Sequence, residues 1–330
     1  MDLQAALALA VEESAAARGI STPNPPVGAV ILAADGTVAG RGRTAPAGGP
    51  HAEVVALADA GEAARGGTAV VTLEPCDHTG RTGPCTQALI AAGIARVAYA
   101  AADPNPLAAG GAHTLRAAGV EVEHLAVEPW PLTEWLFRQR HGRPMVTVKL
   151  AATVDGRIAA PDGTSQWITG PSARGRAHAE RAQLDAIIVG TGTVLADDPA
   201  LTARDADGAP LKHQPTRIVL GEREIPAGAK VLAGPGEARL VRSRDPRAAL
   251  EAAGDAVHVQ VEGGATVIGA FVAAGLVDRV QAYIAPVLLG AGLPALTVPG
   301  VGTLSDATRF RLDTVERLGD DVLVTLLRSV

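Results

Sequence analysis

The segment from His51 to Cys85 constrains this 330-residue chain more than any other. It holds the triplet His51-Ala52-Glu53 and, further along, two cysteines that each follow a proline, Cys76 and Cys85. One imidazole and two thiolates can fill three positions of a tetrahedral zinc site and leave the fourth to a water molecule. Zinc lowers the pKa of such a water towards neutrality. Glu53 lies two residues from the histidine, where a carboxylate that is not a ligand could carry protons.

The cysteine spacing narrows the class of site. His-x-Glu followed by Pro-Cys-x-x-Cys is the signature of zinc-dependent base deaminases, whereas eight residues separate Cys76 from Cys85 here. The pattern predicts a variant with a longer loop, in which His51, Cys76 and Cys85 hold one zinc ion per chain and Glu53 is catalytic. Two other interpretations stay open: cysteines buried without a metal, and a structural zinc with His78 as its fourth ligand.

Length and charge limit the classes of function. The chain is long enough for two cores, and its net charge of −6 gives no overall attraction to nucleic acid or to an anionic membrane. We therefore expect a small-molecule substrate, and the sequence leaves open whether chains associate into a homo-oligomer. The start of the chain lacks the basic region of a signal peptide, and no apolar run is long enough to span a bilayer. Both cysteines belong to the motif, which leaves no disulfide framework and favours a cytoplasmic protein.

Hydrophobic periodicity and turn residues predict alternating helices and strands in the first part of the chain. The predicted elements are a helix that opens at His51, helices at 2–18, 84–92 and 112–118, and strands at 27–32, 38–43, 68–73, 96–100 and 120–123. This pattern puts the three ligands at helix N-termini near strand ends, where the helix dipole favours thiolates and an anionic Glu53. Asp103 and Asn105 follow a strand in a turn, where their side chains could hydrogen-bond a polar ring.

The second part of the chain shows a similar alternation after a helix from Trp130 to His141. Its predicted elements are strands at 146–151, 186–189 and 257–261 and helices at 172–184 and 266–274. Glycines follow two of these strands, at 190–193 and 262–264, and could expose backbone N–H groups to a phosphate. Neither run is the Gly-x-Gly-x-x-Gly dinucleotide motif, and glycines after strands are also ordinary turn residues.

Both parts resemble one family. His-Ala-Glu followed by the run from Pro75 to Cys85 resembles the deaminase half of RibD, the bifunctional deaminase/reductase family of riboflavin biosynthesis. Segments in the order and spacing of its reductase half are Lys149, Asp155–Ile158, Trp167–Gly170, Asp197–Pro199 and Glu262–Gly264. The resemblance implies a cytidine-deaminase-like αβα sandwich followed by a dihydrofolate-reductase-like α/β domain that uses NADPH. We accordingly divide the chain into a deaminase domain (1–123), a connector (124–144) and a reductase domain (145–330).

The resemblance also implies site residues. Substrate-binding positions in the deaminase domain would be Asn24, Arg81, Asp103 and Asn105. Substrate-binding positions in the reductase domain would be Ser165, Thr169, Arg181, Leu201, Arg204 and Glu262, with Lys149 and Asp197 as catalytic residues. Cofactor-binding positions would be Ala151, Trp167, Thr193, Asp197, Gly264, Ala265, Thr266, Val267, Ile268, Gly269 and Ala270. Two residues depart from the family pattern: Arg43 replaces a pocket histidine, and Glu222 replaces a small residue near the cofactor.

The predicted reaction has two steps. Zinc-bound hydroxide would deaminate 2,5-diamino-6-ribosylamino-4(3H)-pyrimidinone 5′-phosphate, and NADPH would then reduce 5-amino-6-(5-phosphoribosylamino)uracil. Arg181 and Arg204 could clamp the substrate phosphate, since guanidinium forks suit phosphate oxygens. The alternatives are a zinc deaminase of another nucleobase whose second domain binds nucleotide without catalysis, and a zinc-stabilised nucleotide-binding regulator.

Overall fold

The chain forms two compact units, Met1–Arg143 and Pro144–Val330. The structure, a computed structural model, describes residues 1–78, 83–106, 108–205 and 207–329. Residues 124–143, most of the predicted connector, fold as part of the first unit. Within the described ranges, the helices are all too short or too polar to cross a bilayer.

The first unit is built on one mixed sheet with the strand order β2-β1-β3-β4-β5. Its strands are β1 (Gly28–Leu32), β2 (Val38–Arg43), β3 (Thr68–Leu73), β4 (Arg96–Ala101) and β5 (Glu121–His124). Its helices are α1 (Leu3–Ala17), α2 (Ala52–Ala60), α3 (Cys85–Ala91), α4 (Gly111–Ala117) and α5 (Thr133–His141). β1 is antiparallel to β2 and β3, and β3, β4 and β5 run parallel. The carboxyl ends of β3 and β4 therefore meet at one edge of the sheet.

Glycines let α2 lie directly on β2. A Cβ atom at Gly40 would fall 2.3 Å from the carbonyl oxygen of Ala56, and one at Gly42 would fall 2.4 Å from that of Ala52. Any side chain at these positions would collide with the helix backbone. The two glycines therefore set how closely the helix that follows His51 approaches the sheet.

The second unit contains a larger sheet with the order β10-β9-β8-β11-β6-β12-β15-β14. The strands of the second unit are β6 (Met145–Thr153), β7 (Arg157–Ala159), β8 (Ala186–Gly190), β9 (Thr216–Leu220), β10 (Ala238–Val241), β11 (His258–Glu262), β12 (Arg279–Ala285), β13 (Leu293–Pro294), β14 (Phe310–Leu318) and β15 (Asp321–Arg328). Its helices are α6 (Pro171–Arg181), α7 (Thr191–Asp197), α8 (Pro246–Ala252) and α9 (Ala265–Ala273). The run from β10 to β12 is parallel, and β15 and β14 continue the sheet antiparallel.

Both faces of this sheet are covered. Ile188 of β8 belongs to the core beneath α8 and α9, while its neighbours Ile187 and Val189 belong to a second core on the other face. This alternation follows from the two-residue period of a strand, and burial on both faces explains why β8 is uniformly apolar. The two faces of these parallel strands are covered, whereas their carboxyl ends stay accessible. Ligands of α/β folds bind at these carboxyl ends.

Candidate active sites

The first unit brings together the three predicted metal ligands. The Nδ1 atom of His51 lies 3.5 Å from the Sγ atom of Cys76 and 3.3 Å from that of Cys85. All three ligand atoms lie within 4.8 Å of one another. In a tetrahedral zinc site, typical bond lengths separate a sulfur and a nitrogen ligand by about 3.6 Å. The arrangement and the donor set therefore fit zinc.

Different elements deliver the ligands. His51 is the N-cap residue of α2, and Cys85 is the first residue of α3. The expectation that all three ligands lie at helix N-termini is wrong for Cys76, which occupies the loop after β3. That loop is held by tertiary contacts instead, since the Asp77 carboxylate accepts hydrogen bonds from the hydroxyls of Thr86 and Thr114 at 2.7 and 2.6 Å.

The two thiols are unequal in this geometry. The hydrogen bond from the Cys85 thiol lowers the pKa of Cys76 to about 4, assisted by His51. The same hydrogen bond, together with burial, raises the pKa of Cys85 above its ordinary value. Sulfurs that share a proton in this way are close enough to bind one cation together, and metal binding would release that proton.

Glu53 lies beside the cluster on the first turn of α2 and is buried. Burial raises the pKa of its carboxyl to about 7, and the negative charge of Cys76 acts in the same direction. The sequence pattern favoured an anionic Glu53 at a helix N-terminus, but loss of hydration outweighs the helix dipole here. A carboxyl with a pKa near neutrality can both accept and donate a proton at physiological pH.

The predicted pocket residues of this unit are only partly described. Asn24 and Asn105 are partly buried in loops, and the Asp103 carboxylate accepts a hydrogen bond from the Asn105 N–H at 2.8 Å. Burial raises the pKa of Asp103, and the charge of Cys76 contributes to the shift. Arg81 lies outside the described residues. Arg43 forms an exposed ion pair with Glu13 of α1 at 3.3 Å, so its side chain is engaged there.

Sequence reasoning missed Glu74 in this unit. Its buried carboxylate accepts hydrogen bonds from the backbone N–H groups of Ala112 and Asp103, at 3.0 and 3.5 Å. It thereby ties the end of β3 to the loop that carries Asp103. An acidic residue directly after a buried strand was a signal that could have found it.

In the second unit, a cavity of about 1490 Å³ opens at the carboxyl ends of the parallel strands. Fifteen of the predicted reductase residues line it: Lys149, Ala151, Ser165, Trp167, Thr169, Arg181, Thr193, Asp197, Leu201, Arg204, Glu262, Gly264, Thr266, Val267 and Ala270. Three residues of the predicted cofactor segment do not: Ala265, Ile268 and Gly269. Ile268 belongs to the core, and a Cβ at Gly269 would collide with the backbone of Thr297, because one face of α9 packs inwards.

A buried ionic cluster lies on the floor of this cavity. The Glu262 carboxylate accepts two hydrogen bonds from the Arg181 guanidinium, at 2.9 and 2.6 Å, and lies 3.7 Å from the Lys149 ammonium. Burial alone would raise the pKa of Glu262, but these two cations hold it well below its usual range. The cluster thus carries a fixed negative charge between two fixed positive charges.

The predicted phosphate clamp is therefore more constrained than the sequence suggested. Arg181 uses Nε and Nη2 on Glu262, whereas Arg204 donates to the Thr202 hydroxyl at 2.9 Å and to the Gly208 carbonyl at 3.3 Å. Both side chains line the cavity, but only Arg204 is held by neutral acceptors. Of the two guanidiniums, Arg204 is the better placed to meet an anionic ligand.

The glycines that follow β8 and β11 are required by close packing against neighbouring side chains. Gly263 has φ +132°, and a Cβ there would fall 2.7 Å from the Thr193 hydroxyl, which accepts the Gly264 N–H at 3.0 Å. A Cβ at Gly190 would fall 2.5 Å from the Val267 side chain. The cavity also exceeds the usual size of a single small-molecule site, which is up to about 1000 Å³. It can therefore hold a cofactor and a substrate together.

Comparison with known proteins agrees with the division of the chain into two units. A family model described as the cytidine and deoxycytidylate deaminase zinc-binding region matches residues 1–101, and one described as the RibD C-terminal domain matches residues 144–324. The riboflavin biosynthesis protein RibD of Mycobacterium tuberculosis is 50% identical over 326 residues, which cover 98% of this chain and 96% of that protein. The Escherichia coli protein of the same name is 41% identical, with 97% and 98% covered. The chain belongs to the RibD family.

Two solved structures extend the similarity to the whole fold of RibD. A structure of Acinetobacter baumannii RibD has a TM-score of 0.89 and 36% identity, with 99% of each chain covered. A diaminohydroxyphosphoribosylaminopyrimidine deaminase/5-amino-6-(5-phosphoribosylamino)uracil reductase from Thermotoga maritima has a TM-score of 0.88 and 31% identity, again with 99% of each chain covered. The predicted family and fold class are confirmed. The chain carries both halves of the bifunctional riboflavin-biosynthesis enzyme, a deaminase domain and a reductase domain.

The reductase cavity also contains residues that belong to none of the motifs identified in the sequence. His178 of α6 lines it, and among the described residues the buried Nδ1 atom of this histidine has no hydrogen-bond partner. Burial and the charge of Arg181 lower the pKa of His178, which favours the neutral ring. Residues after β9 and β10 line the other end of the cavity. Apart from Glu222, these residues were not identified from the sequence, because the sequence pattern did not predict those two strands.

Proposed function

We propose that this chain catalyses two consecutive steps of riboflavin biosynthesis. The first is hydrolysis of an amino group of 2,5-diamino-6-ribosylamino-4(3H)-pyrimidinone 5′-phosphate to a carbonyl, with release of ammonia. The second is reduction of 5-amino-6-(5-phosphoribosylamino)uracil at the sugar C1′, which opens the ribose to a ribityl chain. The observation that carries the proposal is the His51–Cys76–Cys85 cluster with Glu53 beside it. The name of the Thermotoga maritima relative supports the choice of substrates.

The deaminase step would depend on a bound metal and one carboxyl group. His51, Cys76 and Cys85 would hold zinc, which supplies a water molecule of lowered pKa as the nucleophile. Glu53 would take a proton from this water and pass protons to the departing ammonia, a task suited to a carboxyl whose pKa is about 7. Asn24, Arg81, Asp103 and Asn105 would orient the pyrimidine.

The reductase step would depend on orientation and charge. NADPH would supply the hydride, and the cofactor would be held by Ala151, Trp167, Thr193, Asp197, Gly264, Thr266, Val267 and Ala270. Lys149 would polarise the sugar oxygen next to the reacting carbon, since its ammonium is anchored 3.7 Å from Glu262 at the cavity. Asp197, which also lines the cavity, would be the second catalytic residue. The substrate would contact Ser165, Thr169, Arg181, Leu201, Arg204 and Glu262.

A mass-resolved assay of the purified, zinc-loaded chain tests both steps. With the diamino substrate alone, we expect the mass change of an amino-to-oxo exchange. With NADPH added, we expect a further gain of two hydrogens. A product that gains hydrogens without losing the amino group would contradict the order of steps, and an unchanged substrate would contradict the substrate assignment.

A further inference from the structure

One face of α6 presents three nitrogen-rich side chains to the reductase cavity. Arg174, His178 and Arg181 follow one another at intervals of four and three residues, so they form one stripe along the helix. All three line the cavity, while Ala173 and Ala177 on the neighbouring stripe are buried in the core. The proposal above uses Arg181 but gives no role to His178.

His178 differs from the two arginines of this stripe in its contacts. Arg174 donates to the Thr169 carbonyl at 2.6 Å, and Arg181 donates twice to Glu262. Among the residues that the structure describes, none forms a hydrogen bond with the His178 ring, whose Nδ1 atom is buried. A buried polar atom without a partner is unfavourable. The ring is therefore placed to bind a group that enters the cavity.

The charges around His178 are mostly positive. Burial lowers the pKa of its ring, and the cations Arg181, Arg204 and Lys149 act in the same direction. Glu262 is the anion that opposes them. Lys149 has the weakest effect of these four groups, which fits a position of the ring towards the two arginines. Without a ligand, the ring is therefore neutral at physiological pH.

The proposed phosphate site has room for a further hydrogen-bond donor. Arg181 already uses Nε and Nη2 on Glu262, and Arg204 donates to the Thr202 hydroxyl and the Gly208 carbonyl. A phosphate monoester carries nearly two negative charges and three strong acceptor oxygens at neutral pH. An imidazole ring with no other partner in the same cavity can supply the additional donor.

A bound phosphate would reverse the electrostatic preference of the His178 ring. Its negative charge would offset the surrounding cations, and nearby negative charge favours the protonated form of a histidine. A protonated ring donates from both nitrogens, and a charge-assisted hydrogen bond is stronger than a neutral one. Phosphate and proton should therefore each strengthen the binding of the other.

We propose that His178 is a third phosphate-binding residue of the reductase cavity, beside Arg181 and Arg204, and that its ring takes up a proton when the substrate binds. The inference rests on the proposed reduction of a ribose 5-phosphate derivative. It makes substrate binding in this domain depend on pH through a residue of the protein as well as through the phosphate itself.

Calorimetric titration of the full chain with ribose 5-phosphate tests the inference without NADPH or turnover. Titrations in buffers of different ionisation enthalpy give the number of protons taken up for each ligand bound. At pH 7, we expect the unaltered chain to take up about 0.5 proton more than His178→Gln, whose amide can donate a hydrogen bond but stays neutral. Because the phosphate ionises equally in both titrations, the difference reports on His178.

The loss of affinity in His178→Gln should also depend on pH. The gain from protonation is complete below the pKa of the unliganded ring and is lost as the pH rises through the pKa of the liganded ring. We therefore expect the substitution to weaken binding by about 10-fold at pH 6 and by no more than about 2-fold at pH 8.5. The melting temperature should stay within about 2 °C, because the substitution breaks no hydrogen bond to the described residues.

Two further variants provide the controls. Arg204→Ala should weaken binding at both pH values, since a guanidinium stays charged throughout, and this loss assigns the signal to the reductase cavity. His213 is also half-buried in the second unit, but its Nε2 atom lies 3.1 Å from the Leu184 carbonyl oxygen and it does not line the cavity. His213→Gln should leave both the affinity and the proton uptake unchanged.

The outcomes separate this inference from the function on which it rests. Equal proton uptake by the unaltered chain and His178→Gln would overturn the inference, as would a loss of affinity that is the same at both pH values. In that case, weaker binding in Arg204→Ala would still support the proposed phosphate site. If the unaltered chain binds neither ribose 5-phosphate nor 5-amino-6-(5-phosphoribosylamino)uracil, the proposed substrate and the inference both fail.

Discussion

Two glutamates with nearly the same burial have opposite electrostatic environments in the two units. Glu53 is 4% exposed and Glu262 is 6% exposed. Burial and a neighbouring thiolate raise the pKa of Glu53 to about 7. Burial acts on Glu262 in the same direction, but Arg181 and Lys149 reverse the outcome and lower its pKa. Burial alone therefore does not decide what a buried acid does: Glu53 is suited to carry protons, and Glu262 to hold cations in place.

The largest expected effect tests whether Glu53 lies beside a metal centre. Cys76→Ser and Cys85→Ser each remove one of three protein ligands, so we expect zinc content to fall from about one ion per chain towards zero. Deamination should fall to background while reduction of pre-deaminated substrate persists. Metal analysis and the two separate assays measure this. His78→Ala is the control: loss of zinc in that variant would restore the interpretation of a structural four-ligand site.

The next effect tests the role of Glu53 itself. Glu53→Gln should reduce deamination by at least ~10²-fold, the usual contribution of a general acid/base. Zinc content and thermal stability should be unchanged, because the amide has nearly the same size and shape as the buried carboxyl group and Glu53 is not one of the three predicted ligands. The exposed Glu62→Gln serves as the control. Near-normal deamination in Glu53→Gln would show that Glu53 does not transfer protons in this reaction.

Substitutions of Arg181 and Arg204 should separate an effect on substrate binding from an effect on stability. Arg204→Ala should lower the kcat/KM of reduction by about 10- to 100-fold through loss of one contact to the phosphate, with little change in stability. Arg181→Ala should also destabilise the fold, by about 3–5 kcal/mol, because it leaves the Glu262 charge buried without its main partner. Urea denaturation and steady-state kinetics distinguish the two.

A double variant sharpens this prediction. Combining Arg181→Met with Glu262→Gln removes both charges, so it should recover much of the lost stability without recovering reduction. The exposed Arg311→Ala should change neither quantity. Equal stability of the Arg181→Ala and Arg204→Ala variants would show that the Arg181–Glu262 pair contributes no more than a surface contact.

The smallest expected effect is on the free energy of unfolding at acidic pH. Because the folded-state pKa of Glu262 lies below the unfolded value of about 4.3, its contribution to stability is complete above that pH and is lost as the pH falls towards the folded value. Glu262→Gln should therefore show a shallower fall in unfolding free energy between about pH 5 and pH 3. Urea melts across this range measure the slope, and Glu224→Gln should retain the original one. Identical slopes in all three proteins would mean that Glu262 titrates normally.

The difference between a local motif and a tertiary environment explains which features the sequence could predict. The predicted zinc ligands and Glu53 belong to a short motif whose residue types indicate their chemistry, and the structure brings His51, Cys76 and Cys85 together as that motif predicts. The raised pKa of Glu53 was not predicted, because burial is a tertiary property that a local sequence pattern does not show. The fold class followed from the alternation of elements and from a family pattern spread along the chain.

Long-range pairing was beyond sequence reasoning in the second unit. Arg181 and Glu262 are 81 residues apart, and their contact exists because β11 inserts between β8 and β6 in the sheet. The part of the cavity lining that follows β9 and β10 depends on two strands that the sequence pattern did not predict. Such sites become visible only when the order of the strands is known.

The glycines of β2 give the first unit a hidden sensitivity. Gly40 and Gly42 fix the distance between α2 and the sheet, and α2 begins directly after His51 and carries Glu53. A single added methyl group at either position would shift the histidine and the acid together, while Cys76 and Cys85 would stay with other elements. Selection for deamination would therefore act on two positions that have no side chain at all. In a scan of all single substitutions, they should tolerate change as poorly as the metal ligands.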